Sequence, residues 1–177
     1  SGDDVLDLVA YDKSMAEDQA GVLEGPHFDL DDVPLEFPCV VPRHGIWEQH
    51  GGAVEASVRC IDDMLQGTQN ATVGTASTHR PTDPDGLVAQ VRAVRERYPG
   101  SKLKGSPCDL EKAYKQVPNC PATLHLTVIS TWSPELRRAV LFIALCQLFG
   151  GRSPPLNFAR YVAWLLDCAA VLFALPL

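Results

Sequence analysis

The stretch LHLTVISTWSPELRRAVLFIALCQL, residues 124–148, decides how this chain folds. Two apolar runs rich in β-branched and aromatic residues, 124–132 and 139–148, flank Ser133-Pro134-Glu135, a short break with turn chemistry. They read as the two arms of a β-hairpin. Gly150-Gly151 ends the second arm, and Pro154-Pro155 opens a long apolar helix reaching about residue 175. Upstream, residues 109–116 supply one or two helical turns and 102–108 a short strand. Farther back, Pro84 near Thr82-Asp83 starts a helix with Leu87, Val88, Val91, Val94 and Tyr98 on one face, ended by Pro99-Gly100. The polar run 66–84 is a loop, and the segment beginning at Val58 is β-prone. Residues 26–52 read as connecting structure with a short strand at 37–41. Val5, Leu8, Val9 and Met15 mark a first helix with an acidic outer face, stopping at Gly25-Pro26. This order predicts an α+β fold, a small antiparallel sheet with packed helices.

The 177 residues suit one domain of ordinary size, and 46% hydrophobic with 21% charged residues allows a buried core. Fourteen Pro and 13 Gly exclude a coiled coil, a simple helical bundle or a solenoid. The formal charge of −7 is unevenly spread. Residues 1–58 carry 13 acids against only Lys13 and Arg43, whereas 59–104 and 105–177 are each mildly basic. The chain therefore divides into an acidic arm (1–58), a middle segment (59–104) and a hairpin-and-helix segment (105–177), and its overall charge does not exclude an anionic ligand. The six cysteines lack CxxC or Cys/His ligand spacing, which argues against a zinc site or a disulfide framework. The acidic N-terminal stretch lacks the pattern of a signal peptide. An intracellular location, cytoplasmic or nuclear and not secreted, is the expectation. The run YVAWLLDCAAVLFALPL (161–177) is at the short edge of spanning length and carries Asp167 near its middle. A carboxylate at mid-bilayer costs about 2.5–3.5 kcal/mol. A buried helix is expected there, and no membrane partner.

Asp109 follows a strand-like run and precedes a helical turn. Asp at that place caps the turn or, aimed into a cleft, offers oxygen to a hard cation such as Mg²⁺. Spacing leaves both open. The run Asp109-Leu110-Glu111-Lys112-Ala113-Tyr114-Lys115-Gln116-Val117 resembles the first palm motif of reverse transcriptases. Residues 148–160, LFGGRSPPLNFAR, are similar to that family's "LPFG…SP…F.R" motif. Val58-Arg59-Cys60-Ile61-Asp62-Asp63, ending at Asn70, resembles its fingers-to-palm "R…D…N" segment, and Glu24-Gly25-Pro26 followed by Pro34 fits the fingers. The motifs keep their order from about residue 17 to 177.

The resemblance implies a right-hand polymerase fingers–palm module that acts on an RNA/DNA template-primer and deoxynucleotides through two Mg²⁺ ions about 4 Å apart. It assigns metal binding to Asp109 and the Leu110 carbonyl. Nucleotide binding falls to Arg59, Leu110, Ala113, Tyr114, Phe149 and Gly150. Arg59 would bridge the triphosphate, and the alternative is an ordinary surface arginine. Tyr114 would sit under the sugar and exclude a 2′-hydroxyl, and the alternative is an aromatic packed against a helix. Gly150 and Gly151 would admit nucleotide and template close to the backbone, or simply make a turn. Gln147 and Arg152 are weaker candidates. Asp62-Asp63 precedes Asp109 and is placed in the fingers, where Asp63 is expected to support Arg59 or a loop amide. The family's second acidic pair would follow the Gly150 motif, and Leu177 is reached before it. The resemblance thus implies half a metal site and no polymerase activity for these 177 residues alone. The alternative function is a non-catalytic interaction subunit docking a protein partner through the apolar 155–177 helix.

Overall fold

Hydrophobic patterning in the 124–148 stretch is realised as the centre of a sheet. The computed structural model describes residues 2–48, 57–67, 69–72, 74, 84–100, 102–104 and 110–173. Helices are α1 (Asp4–Gln19), α2 (Gln69–Thr72), α3 (Pro84–Arg97) and α4 (Pro154–Phe173). Strands are β1 (Leu23–His27), β2 (Val40–Glu48), β3 (Ser57–Asp62), β4 (Val128–Ser133) and β5 (Arg138–Ala144). Leu30–Asp32, Ala113–Gln116 and Pro121–Leu126 form 3-10 turns. The chain falls into two compact units, Ser1–Ala76 with Lys112–Leu177, and Ser77–Glu111. The smaller unit contains α3, in which the Arg97 guanidinium lies 5.8 Å from the Tyr98 ring centroid.

In the larger unit the described strands form one sheet in the order β1-β5-β4-β2-β3. The expected hairpin is there: β4 and β5 pair antiparallel from Val128↔Ile143 to Ser133↔Arg138. The sheet is mixed rather than wholly antiparallel, because β2 joins β4 in parallel through Val40↔Val128 and Val41↔Ile129. Residues 26–52, read as connecting structure with a short strand at 37–41, contain all of β2, which runs from Val40 to Glu48 rather than ending at 41. Its Pro42, Arg43, His44 and Gly45 hide it from a propensity reading, and pairing on both sides overrides them. The first helix ends at Gln19, and Gly25-Pro26 lies inside β1 instead of terminating it.

Both faces of the hairpin are covered, which explains its uninterrupted apolar runs. On one face Val41, Ile129, Val140, Phe142 and Leu148 pack with Tyr11 and Met15 of α1. On the other, Val128, Leu141 and Ile143 meet Val33, with Leu35 and Leu124 around them.

The buried side of α1 is Asp7, Ala10 and Ser14. Val5 and Leu8, expected on the inner face, are 54% and 46% exposed. Small side chains let this helix approach the sheet closely. At Gly45 of β2 a Cβ atom would stand 2.8 Å from the Leu6 carbonyl. Residues 154–173 form the expected helix, yet Ala163 to Asp167 are exposed in succession, against the expectation of burial. The main contact of α4 is the 113–116 turn near its start, so its later turns extend past that support. Among the described residues no helix is long and apolar enough to cross a membrane.

The expected strand at 102–108 is not seen at 102–104, and 105–108 lie outside the described residues. The 66–84 loop contains the single helical turn α2, with 68, 73 and 75–83 outside the described residues.

Candidate functional site

Two segments far apart in sequence are laced together beside the hairpin. The Asn119 amide donates to Leu145 O at 2.8 Å, and the Gln147 amide donates to Val117 O at 2.9 Å. The Asn119 side-chain amide adds bonds to the carbonyls of Ala144 (2.9 Å) and Cys146 (2.8 Å). This lacing fixes the turn that carries Ala113 and Tyr114 next to the chain leading into Phe149 and Gly150. The Tyr114 ring then lies 4.9 Å from Phe149 and 5.5 Å, edge-on, from Phe158 of α4. Tyr114 is thus packed on a helix, as one of its two expected roles required, while Phe149 beside it remains 61% exposed.

A second clamp holds the glycine turn. Asn70 of α2 donates from its side chain to Gly150 O at 3.0 Å and accepts the Arg152 amide at 3.0 Å. Gly150 has φ +102°, and a Cβ there would meet the Asp62 carbonyl at 2.8 Å. Its glycine is therefore demanded by contact with the end of β3 as well as by its conformation. A cleft of about 380 Å³ opens beside this clamp, lined among others by Asn70, Asn119, Gln147, Arg152 and Asn157. Neither Tyr114 nor Phe149 lines it.

Near the clamp runs a chain of charges, buried at Arg43 and Asp62 and half-buried at Glu17 and Lys115. Arg43 of β2 grips Asp62 of β3 through Nε–Oδ1 at 2.6 Å and Nη2–Oδ2 at 3.2 Å. Its Nη1 donates to Ser14 Oγ at 3.2 Å and to Glu17 Oε2 at 2.9 Å, both from α1. The other Glu17 oxygen accepts from Lys115 Nζ. Burial pushes the Glu17 carboxyl up, but Arg43 and then Lys115 outweigh it and hold it below the ordinary range. Burial likewise disfavours charge on Arg43, and Asp62 followed by Glu17 reverses this, raising its pKa.

The remaining site candidates fall on other elements or outside the described residues. Asp109 lies outside the described residues. Leu110 is half-buried in the smaller unit, and Ala113 is half-buried in the 113–116 turn. Arg59 sits on β3 with its side chain 53% exposed and its Nη2 3.0 Å from Glu48 Oε1. Alternation along β3 turns it to the face opposite Asp62, and so away from α1. Asp63 supports loop amides rather than Arg59, accepting from Leu65 (3.1 Å) and Gln66 (2.9 Å).

The motif reading missed Arg43, Glu17 and Asn119. One signal was available: Arg43 and Lys13 are the only Lys or Arg among the first 58 residues, so carboxylate partners were to be expected. Among the described residues no group of three or more His, Cys, Asp or Glu is placed to hold a metal ion. No protein-family model matches the chain, and no curated protein matches it significantly.

Proposed function

We propose that this chain is a reverse-transcriptase-like fingers–palm module whose retained activity is Mg²⁺-dependent binding of a deoxynucleoside triphosphate. The supporting observation is convergence: three stretches singled out by motif meet, Asn70 with Gly150 and Arg152, and Tyr114 with Phe149. A chance set of short motifs has no reason to pack together.

In this reading the Asp109 carboxylate and Leu110 carbonyl would hold Mg²⁺, a hard-oxygen donor pair suited to that ion. Bound there, the ion would neutralise triphosphate charge. Tyr114, its ring steadied by Phe158, bounds the sugar position and leaves no room for a 2′-hydroxyl. Phe149 offers an exposed apolar surface to the nucleotide, and Arg59 approaches the triphosphate by leaving Glu48. A template strand passes over the Gly150 turn that Asn70 steadies.

The test is titration of the purified chain with dATP and ATP, with and without Mg²⁺. Expected is Mg²⁺-dependent binding that favours dATP, is lost in Asp109→Ala, and loses its deoxy preference in Tyr114→Ala. Absence of Mg²⁺-dependent binding to the folded chain overturns the reading.

A second reading rests on α4, where Trp164 and Leu166 are 59% and 61% exposed. There the module is an interaction subunit whose apolar helix docks a protein partner. Trp164→Ser would then abolish stoichiometric co-purification with that partner and leave nucleotide binding unaltered.

A further inference from the structure

We infer that Glu17, in the first helix and outside every motif, is the positioning residue that holds Tyr114 in register with the Gly150 turn; the inference rests on the nucleotide-binding reading. Glu17 divides its two oxygens between two halves of the site. Oε2 accepts from Arg43 at 2.9 Å, and Arg43 is clamped on Asp62, whose carbonyl lies against Gly150. Oε1 accepts from Lys115, the residue after Tyr114. Two acids and two bases alternate along this chain of contacts, Asp62, Arg43, Glu17 and Lys115, so it closes without surplus charge.

The need for such a tie is visible in the turn itself. Ala113–Gln116 is a single 3-10 turn, entered through Lys112 at φ +53°, a left-handed conformation unfavourable to a side chain. The backbone bonds at its two ends run from Lys115 N to Lys112 O and from Val117 N to Tyr114 O. So short an element does not set its own orientation. Lacing at 117–119 fixes its downstream end, and the Glu17–Lys115 bond fixes its outer side to α1. Glu17 touches no reacting group. It acts through Lys115 on the angle at which Tyr114 meets Phe149, and hence on discrimination at the sugar.

The experiment compares Lys115→Met, Glu17→Gln and Lys115→Arg with the parent chain, reading dATP and ATP affinities with Mg²⁺ and amide hydrogen exchange. Lys115→Met should narrow the dATP-over-ATP preference roughly fivefold, and Lys115→Arg should restore it. Glu17→Gln should narrow it similarly, and combining it with Lys115→Met should add little, because both break one tie. A purely structural role would weaken both nucleotides alike and leave their ratio unchanged. In Lys115→Met the amides of Lys115 and Val117 should exchange faster while β4 and β5 keep their protection. An unchanged preference, or exchange altered nowhere or everywhere, overturns the inference. If the parent chain binds neither nucleotide, the functional reading falls, and the exchange of Lys115 and Val117 alone decides whether Glu17 orders the turn.

Discussion

Arg43 and Arg59 stand on neighbouring strands and meet opposite fates. Arg43 is paired in register with Asp62 and turned toward α1, where two carboxylates and Ser14 close around it. Arg59, paired with Ile46, is half-exposed and touches Glu48 near the outer edge of the sheet. The motif reading chose Arg59 for its place in the "R…D…N" segment and because a planar guanidinium suits a triphosphate, and the structure leaves that side chain 53% exposed. Arg43 is the arginine that the architecture needs. A buried cation with its partners in place is costly to disturb, whereas an exposed one is held by screened, easily exchanged contacts. Buried and exposed arginines are thus separated by strand parity and position in the sheet.

The largest expected effect comes from Arg43→Met, which leaves Asp62 and Glu17 without their shared partner and should cost about 3–5 kcal/mol. Denaturant unfolding measures it, and a loss below about 1 kcal/mol would erase the contrast between the two arginines. Gly150→Ala combines a left-handed backbone with a close approach to the Asp62 carbonyl and should cost about 1–3 kcal/mol. Gly74→Ala, with no atom within 4 Å of the added carbon, serves as its near-neutral control. Asn70→Ala removes both bonds to the 150–152 turn and should cost about 1–2 kcal/mol, with faster exchange at the Arg152 amide.

The pH dependence is smaller and has a definite sign. Because the folded carboxyl of Glu17 is held down, its stabilisation is complete above the ordinary value of about 4.5. It is lost as pH falls through the lower folded value. The stability gap between the parent chain and Glu17→Gln should therefore shrink on acidification through that window and stay constant from pH 6 to 7. Arg59→Ala should change stability least, by about 0–1 kcal/mol, while weakening triphosphate binding if Arg59 serves it. A large stability loss there would show that Arg59 belongs with Arg43 after all.

The hairpin and the later helices were legible in the sequence because each is set by local pattern: apolar runs, a Ser-Pro turn, Pro at a helix start. β2 was not, since Pro42-Arg43-His44-Gly45 looks like a loop until strands on either side supply its bonds. The inner face of α1 was misread for a related reason. Apolar Val5 and Leu8 point outward because the sheet below carries a glycine and an arginine, which call for Ala10 and Ser14 instead. At the site, Tyr114 and Phe149 could be named from motifs, and the structure brings them together. Glu17 and Asn119 act through contacts with residues far from them in sequence, which no short motif records.

The parallel pairing of β2 with β4 has a consequence for synthesis. β2 ends at Glu48, and β4 begins at Val128. At ribosomal speeds of about 5–20 residues per second, the interval between their emergence is on the order of ten seconds. Through that time β1, β2 and α1 have no central sheet to join, and a half-made chain exposes sticky strand edges. When the hairpin appears it supplies both missing slots at once, β5 for β1 and β4 for β2. Nascent chains stalled before residue 128 should accordingly be the aggregation-prone species, and holding chaperones should matter most during that window.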